Sequence, residues 1–225
     1  MNMNFKKSAF AAMATVTLLS FSLGSQVFAA ETSFKDLDSV AGKEKIISLK
    51  DQGLIKGVTE TSFLPASKVT VAQGVQFIAG GLQLSLAAID FNIAPTASGL
   101  FTNVKDNAWY AEAFINAHYN RVDIPKDVKP SQILTREQFT SMLVQGVEAI
   151  GNLPMINIKP ADIADDSQLD PSYQGAVQRS LVYKINTLDS NGKFNPKGEI
   201  TRAEAAIMVY NAVDYLKSRE AAAAE

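Results

Sequence analysis

A helix-starting device occurs three times in this chain, and its recurrence limits the fold more than any other feature. The copies are Val69-Thr70-Val71-Ala72-Gln73, Leu134-Thr135-Arg136-Glu137-Gln138 and Ile200-Thr201-Arg202-Ala203-Glu204. In each, the threonine can accept from the backbone N–H three residues on, where Gln73, Gln138 or Glu204 can reach back to the threonine's own N–H. That reciprocal arrangement is a capping box. Thr70, Thr135 and Thr201 stand 65 and 66 residues apart. Each is preceded at fixed offsets by a large apolar residue and a proline: Phe63 and Pro65, Val128 and Pro130, Phe194 and Pro196. The spacing predicts a tandem repeat.

The N-terminus reads separately. Lys6 and Lys7 precede an apolar stretch from Ala9 to Leu23 and a small-residue cleavage pattern at Val27-Phe28-Ala29, so residues 1–29 are expected to be a signal peptide. The stretch is too short and too rich in Ser and Thr for a permanent span. Its removal takes two of 21 basic residues and none of the 23 acidic ones, leaving 19 against 23 and a net charge of −4. A surface of that sign disfavours nucleic acid, whose binding needs a basic face. With no cysteine in the chain, disulfides, thiol nucleophiles and thiolate metal sites are excluded. A chain of about 195 residues must then hold itself together by its core alone.

Turn-forming residues divide the rest. Repeats are expected at 30–92, 100–153 and 161–218, with linkers at 93–99 and 154–160 and a tail at 219–225. Each reads as helix, loop, helix, giving an all-α fold. Ile46, Ile47 and Leu49 face the first helix, which Gly53 can close. Trp109, Tyr110, Ala113, Phe114 and Ala117 share a helical face in the second repeat, and Tyr173, Ala176, Val177 and Leu181 in the third. Counting from each capping threonine, Ile78, Leu143 and Val209 stand eight residues on, and Leu82, Val147 and Val213 twelve on. Between them, eleven on, are Gly81, Gly146 and Ala212. A small residue between two large ones on one face suits three helices meeting closely at an axis.

These residues together resemble three tandem S-layer homology domains. The family's aromatic-x-Asp opening, Gly-Leu-Ile-x-Gly turn, Phe-x-Pro segment and Thr-Arg-Ala-Glu signature stand here as Phe34-Lys35-Asp36, Gly53-Leu54-Ile55-Lys56-Gly57, Phe194-Asn195-Pro196 and Thr201-Arg202-Ala203-Glu204. The resemblance implies a pseudo-threefold assembly in which each repeat gives one helix to a central bundle. It implies binding of a pyruvylated secondary cell-wall polysaccharide in grooves between lobes, and so non-covalent attachment to the bacterial surface. The site residues it suggests are Arg136, Arg202, Asp36, Asp165, Trp109 and Gly57. No cofactor or metal is implied, no membrane span remains once the leader is cleaved, and S-layer or other envelope proteins are further possible partners.

The chemistry supports that role on its own terms. A pyruvate ketal carries a carboxylate, and an arginine in the first turn of a helix combines a forked donor with the positive end of the helix dipole. Arg136 and Arg202 hold that position, whereas Val71 replaces the arginine in the first repeat, so the first groove is expected to bind acid poorly. The second repeat has Asn103 for the opening Asp, and His118-Tyr119-Asn120-Arg121 for the glycine turn, with Asn120 as left-handed substitute. Trp109 reads first as buried against the bundle and second as a platform for a sugar ring. Alternatives are an envelope assembly factor that binds no glycan and a wall-active enzyme. Asp162, Asp165, Asp166 and Asp170 could supply a glycosidase pair but read as helix caps and surface. Asp189-Ser190-Asn191-Gly192 reads as a turn, since the calcium-loop spacing fails. His118 has no partner for zinc or nucleophile chemistry and reads as structural.

Overall fold

A computed structural model describes residues 34–153 and 159–223. The expected leader and part of the second linker lie outside these residues. The helices are α1 (Lys43–Asp51), α2 (Val71–Gly81), α3 (Ala97–Leu100), α4 (Ala111–Tyr119), α5 (Arg136–Ile150), α6 (Pro171–Val182) and α7 (Arg202–Ala223). Among the described residues there is no strand, and no helix is long and apolar enough to cross a membrane. The first linker carries more structure than its composition predicts: Thr96 Oγ1 accepts from Gly99 N (3.2 Å) and caps α3.

All three capping boxes form. Gln73 N and Gln138 N donate to Thr70 and Thr135 Oγ1, and the glutamine carbonyls accept from the threonine N–H at 3.1 Å. Glu204 Oε2 accepts from both Thr201 N (2.8 Å) and Thr201 Oγ1 (2.7 Å). The capped helices α2, α5 and α7 touch pairwise, and Gly81, Gly146 and Ala212 are buried where they meet.

Ahead of the helices, the three connecting segments close a ring. Val69 N donates to Ile200 O (3.0 Å), Ile200 N to Leu134 O (3.1 Å), and Leu134 N to Val69 O (2.9 Å). The prolines found by spacing take the next place. Ala72 N donates to Pro130 O (2.9 Å), Glu137 N to Pro196 O (3.1 Å) and Ala203 N to Pro65 O (3.0 Å). Val71, Arg136 and Arg202 N donate to Gln132, Gly198 and Ser67 O. The N–H groups that a helix start leaves unpaired are thus used by a different segment of the chain. They are not open to a ligand.

The residue ending the first helix of each segment has a positive φ: Gly53 at 71°, Arg121 at 62° and Lys184 at 57°. The expected Asn120 is not the left-handed residue, since its φ is −93°. It serves instead as the last half-turn, and its side chain donates to Asn116 O (2.8 Å) and Ser85 O (3.1 Å). A non-glycine residue in that conformation costs about 1 kcal/mol, so Lys184→Gly is expected to stabilise the fold by roughly that much, raising Tm by about 2–4 °C for a chain this size. Calorimetry checks it.

Candidate functional site

Two of the capped helices, α2 and α5, present their +3, +6, +7 and +10 positions to grooves. On α2 these are Gln73, Gln76, Phe77 and Gly80; with the 53–58 loop and Trp109 of the next segment they line a cavity of about 620 Å³. At its base lies Arg202, from the start of α7. On α5 the same offsets give Gln138, Ser141, Met142 and Gln145, which with the 123–129 loop and Tyr173 line a second cavity of about 330 Å³. Its base is Val71. On α7 the offsets give Glu204, Ile207, Met208 and Asn211.

The ring explains why the arginine of one segment serves another. Each helix start is bonded to the proline loop of a neighbour, so the residue after the capping threonine points into that neighbour's groove. The expectation that Val71 deprives the first groove of its donor is therefore corrected: the first groove has Arg202, and the second has the valine.

Arg202 is 6% exposed. Its Nε donates to Phe63 O (2.7 Å) and one Nη to Lys56 O (3.3 Å), and the guanidinium lies 4.7 and 4.9 Å from the Phe63 and Phe77 ring centres. Burial pulls its pKa down, and the charge of Asp36 partly offsets this. Among the described residues no carboxylate comes within ion-pair distance of it. Lys56 is exposed on the rim of the same groove.

Trp109 is 65% exposed at that rim, correcting the expectation that it is buried. The cause is local: α4 starts at Ala111, so Trp109 precedes the helix and misses the face that Ala113, Phe114 and Ala117 bury. It packs edge-on to Tyr110, with centroids 5.2 Å apart.

Arg136 has a different setting. Its Nη2 is ion-paired with Glu204 Oε1, where the other two boxes have uncharged glutamine. Nearby, Asn211 Oδ1 accepts from Lys45 Nζ (2.7 Å), and its amide donates to Ile185 O (3.0 Å). Most polar groups on this side are engaged with one another, although Arg136 Nε is buried without a hydrogen-bond partner among the described residues. Burial raises the Glu204 pKa, but the Thr201 N–H and hydroxyl and the Arg136 charge more than offset this, leaving it below the ordinary 4.5. A folded pKa below the unfolded one contributes stability above about pH 4.5 and loses it as pH falls through the lower folded value. Glu204→Gln, which keeps the box as Gln73 and Gln138 do, is expected to remove this part of the acid sensitivity, seen as a flatter stability profile below pH 4.5.

The remaining candidates hold loops. Asp36 accepts from Phe63 N (3.0 Å), Leu64 N (2.8 Å) and the Ser62 hydroxyl (2.8 Å). Burial raises its pKa, but these donors together bring it below the usual carboxylate range. Asp165, 5% exposed, accepts from Phe194 N and Asn195 N, each at 2.8 Å. Asn103 makes the equivalent tie with reversed polarity, donating to Asp127 O (2.9 Å) and Val128 O (3.1 Å). Asp165→Ala would leave two donors without an acceptor and is expected to cost about 3 kcal/mol, measurable by urea denaturation. Gly57 lines the first groove, but a Cβ there would lie 2.4 Å from the Phe34 ring and 2.4 Å from Thr59 O, so packing alone requires glycine. In the acidic cluster, Asp170 caps α6 through Ser172 N (2.9 Å), and Asp166 accepts from Gln174 at 3.3 Å. Asp189 accepts from Asn191 N and Lys193 N in a turn. His118 is exposed, packing edge-on to Phe101. Sequence reasoning missed the +6 and +10 residues and read those at +3 only as capping partners, although polar Gln73, Gln76, Gln138 and Gln145 in otherwise apolar helices were a signal.

Capped helices tied into a ring, with grooves between their loops, define an all-helical module. Residues 164–206 match the S-layer homology domain family. Over longer stretches the chain is 28% identical to an amylopullulanase of Thermoanaerobacterium thermosulfurigenes (83% of this chain, 10% of that protein). It is 28% identical to the exoglucanase XynX of Acetivibrio thermocellus (84% and 17%). It is 26% identical to a surface-layer 125 kDa protein of Lysinibacillus sphaericus (94% and 17%). The chain spans less than a fifth of the length of each of these three. Domains of this family attach proteins to the cell surface by binding cell-wall polymers, and the match, with the surface-layer relative, supports a secreted, surface-located chain.

Proposed function

We propose that this chain is a non-covalent anchor that binds an acidic, pyruvylated cell-wall polysaccharide, and that the first groove is the acid-binding site. In this reading 30–92, 100–153 and 161–218 are three repeats of the same domain. The observation that carries it is Arg202: a buried guanidinium without a carboxylate partner, at the base of an open groove. A buried cation without a counter-charge is costly, and a ligand carboxylate would relieve that cost. Lys56 adds a second positive group at the rim, and Trp109 offers an exposed aromatic face for the sugar ring. Arg136 contributes less, because Glu204 already neutralises it.

An anchor is favoured over a wall-active enzyme because Asp165, Asp166 and Asp170 are engaged in loop and helix contacts rather than facing one another across a cleft. Similarity to glucan-degrading enzymes covers only a small part of their length. Co-sedimentation with isolated walls tests the reading. Trp109→Ala, at an exposed position, is expected to weaken retention about tenfold, which is about 1.4 kcal/mol, with no change in Tm. Walls stripped of their non-peptidoglycan polymer should retain neither protein. Equal retention on stripped walls would show that the polymer is not the ligand.

A further inference from the structure

We infer that the second groove is a separate sugar site selective for an uncharged pyranose, so that the two grooves read different units of one polymer. The inference rests on the anchor reading above. The two grooves share a frame, with a loop, four helix positions, a rim aromatic and the residue after a capping threonine, but they differ in charge and size. The first is lined by two cations, Lys56 and Arg202, and no acid. The second has Asp123 and Asp127 against one cation, Lys129, and Val71 at its base. An acid placed there would meet no buried cation and two carboxylates at the rim, an arrangement that selects against it. At 330 against 620 Å³, the cavity is also about half as large, and Gln145 stands where the first groove has Gly80.

Its interior is built of neutral donors. The Gln138 carbonyl is used by Thr135 N (3.1 Å) and the Gln145 carbonyl by Asp123 N (2.7 Å), which leaves the amide NH2 groups of both groove-lining side chains without a protein acceptor among the described residues. Between them on the same helix face lies Ser141, 5% exposed, whose hydroxyl makes no hydrogen bond to protein among the described residues. The hydroxyl lines the groove and is free to take its partner from solvent or ligand. Two amides and a hydroxyl suit the ring and hydroxyl oxygens of a sugar, or an N-acetyl carbonyl. They offer donors where an ammonium would need acceptors. Tyr173 supplies the aromatic face at the rim, in the place of Trp109.

The test uses the full chain and a wall-derived disaccharide in two forms, intact and with its carboxylated ketal removed by mild acid. Amide resonances of 138–145 and 171–174 should shift with the neutral form. Tyr173→Ala should weaken that binding about fivefold, and Ser141→Ala, which leaves no donor unpaired in the fold, should also weaken it. Val71→Arg should lower the preference for the neutral form and let the intact acid compete. Absence of shifts at millimolar neutral disaccharide, or unchanged affinity in Tyr173→Ala, would overturn the inference. If the first groove fails to bind the acid while the second still takes the neutral sugar, the acid-anchor reading fails, and with it the pairing of two different units, while the neutral site itself stands. Acid binding at the first groove with a silent second groove sinks this inference alone.

Discussion

Gly81→Leu is expected to unfold the chain at physiological temperature or to lower Tm by about 10 °C or more. A Cβ at Gly81 would lie 2.2 Å from Val209 Cγ1, a contact that Val209 can relieve only by leaving the χ1 rotamer its helix strongly prefers or by a shift of the helices. Overpacking typically costs about 1–3 kcal/mol, and at about 2–4 °C per kcal/mol for a chain this long even Gly81→Ala should be visible. Gly146→Leu should cost less. The atom its Cβ meets, at 2.8 Å, is Leu82 Cδ1, the far end of a flexible side chain. Thermal unfolding of the two variants side by side checks the ranking, and the reverse order would mean that α2 and α7 do not meet at Gly81.

Arg202→Ala is expected to remove wall retention and stability together. Loss of the guanidinium leaves Phe63 O and Lys56 O short of a donor and empties the space between the Phe63 and Phe77 rings. The stability cost should be about 2–4 kcal/mol. Binding should fall at least tenfold beyond any loss of folded protein, since charge-assisted hydrogen bonds contribute about 1.5–3 kcal/mol. Arg136→Ala, by contrast, should leave acid binding at the first groove unchanged. Calorimetry on the folded fraction separates the terms, and equal binding losses in the two variants would contradict the assignment of Arg202, and not Arg136, to the first groove.

Both arginines occupy the same place in their repeats, and counting along the chain treats them alike. What separates them is the partner set by the neighbouring segment: glutamine at position 73 leaves Arg202 unpaired, while glutamate at position 204 takes Arg136. That information is in the sequence, but reading it requires knowing that α7 serves the groove of α2. The ring of hydrogen bonds fixes this, and no periodicity reports it. Local devices were legible for the opposite reason. A capping box, a proline five residues ahead and a small residue between two large ones each act over one or two helical turns. Trp109 was misread because helical spacing was carried two residues past the true start of α4. Arg121 and Lys184 were missed as left-handed residues because neither has the glycine that marks Gly53.

The ring through Val69, Leu134 and Ile200 also bears on how such a tether carries load. Drag on an attached surface pulls along the chain, and a tether whose lobes followed one another like beads would yield at its weakest lobe. Here a pull on α7 arrives at Ile200, which accepts from Val69 and donates to Leu134, so the force divides between the first and second segments before either can open. Hydrogen bonds strained side by side must break together, and the mechanical threshold of the whole ring then exceeds that of any one lobe. The proposed acid-binding groove sits at this junction: Arg202, at its base, is two residues from Ile200, so in that reading tension on the chain and hold on the ligand would be borne by the same few residues.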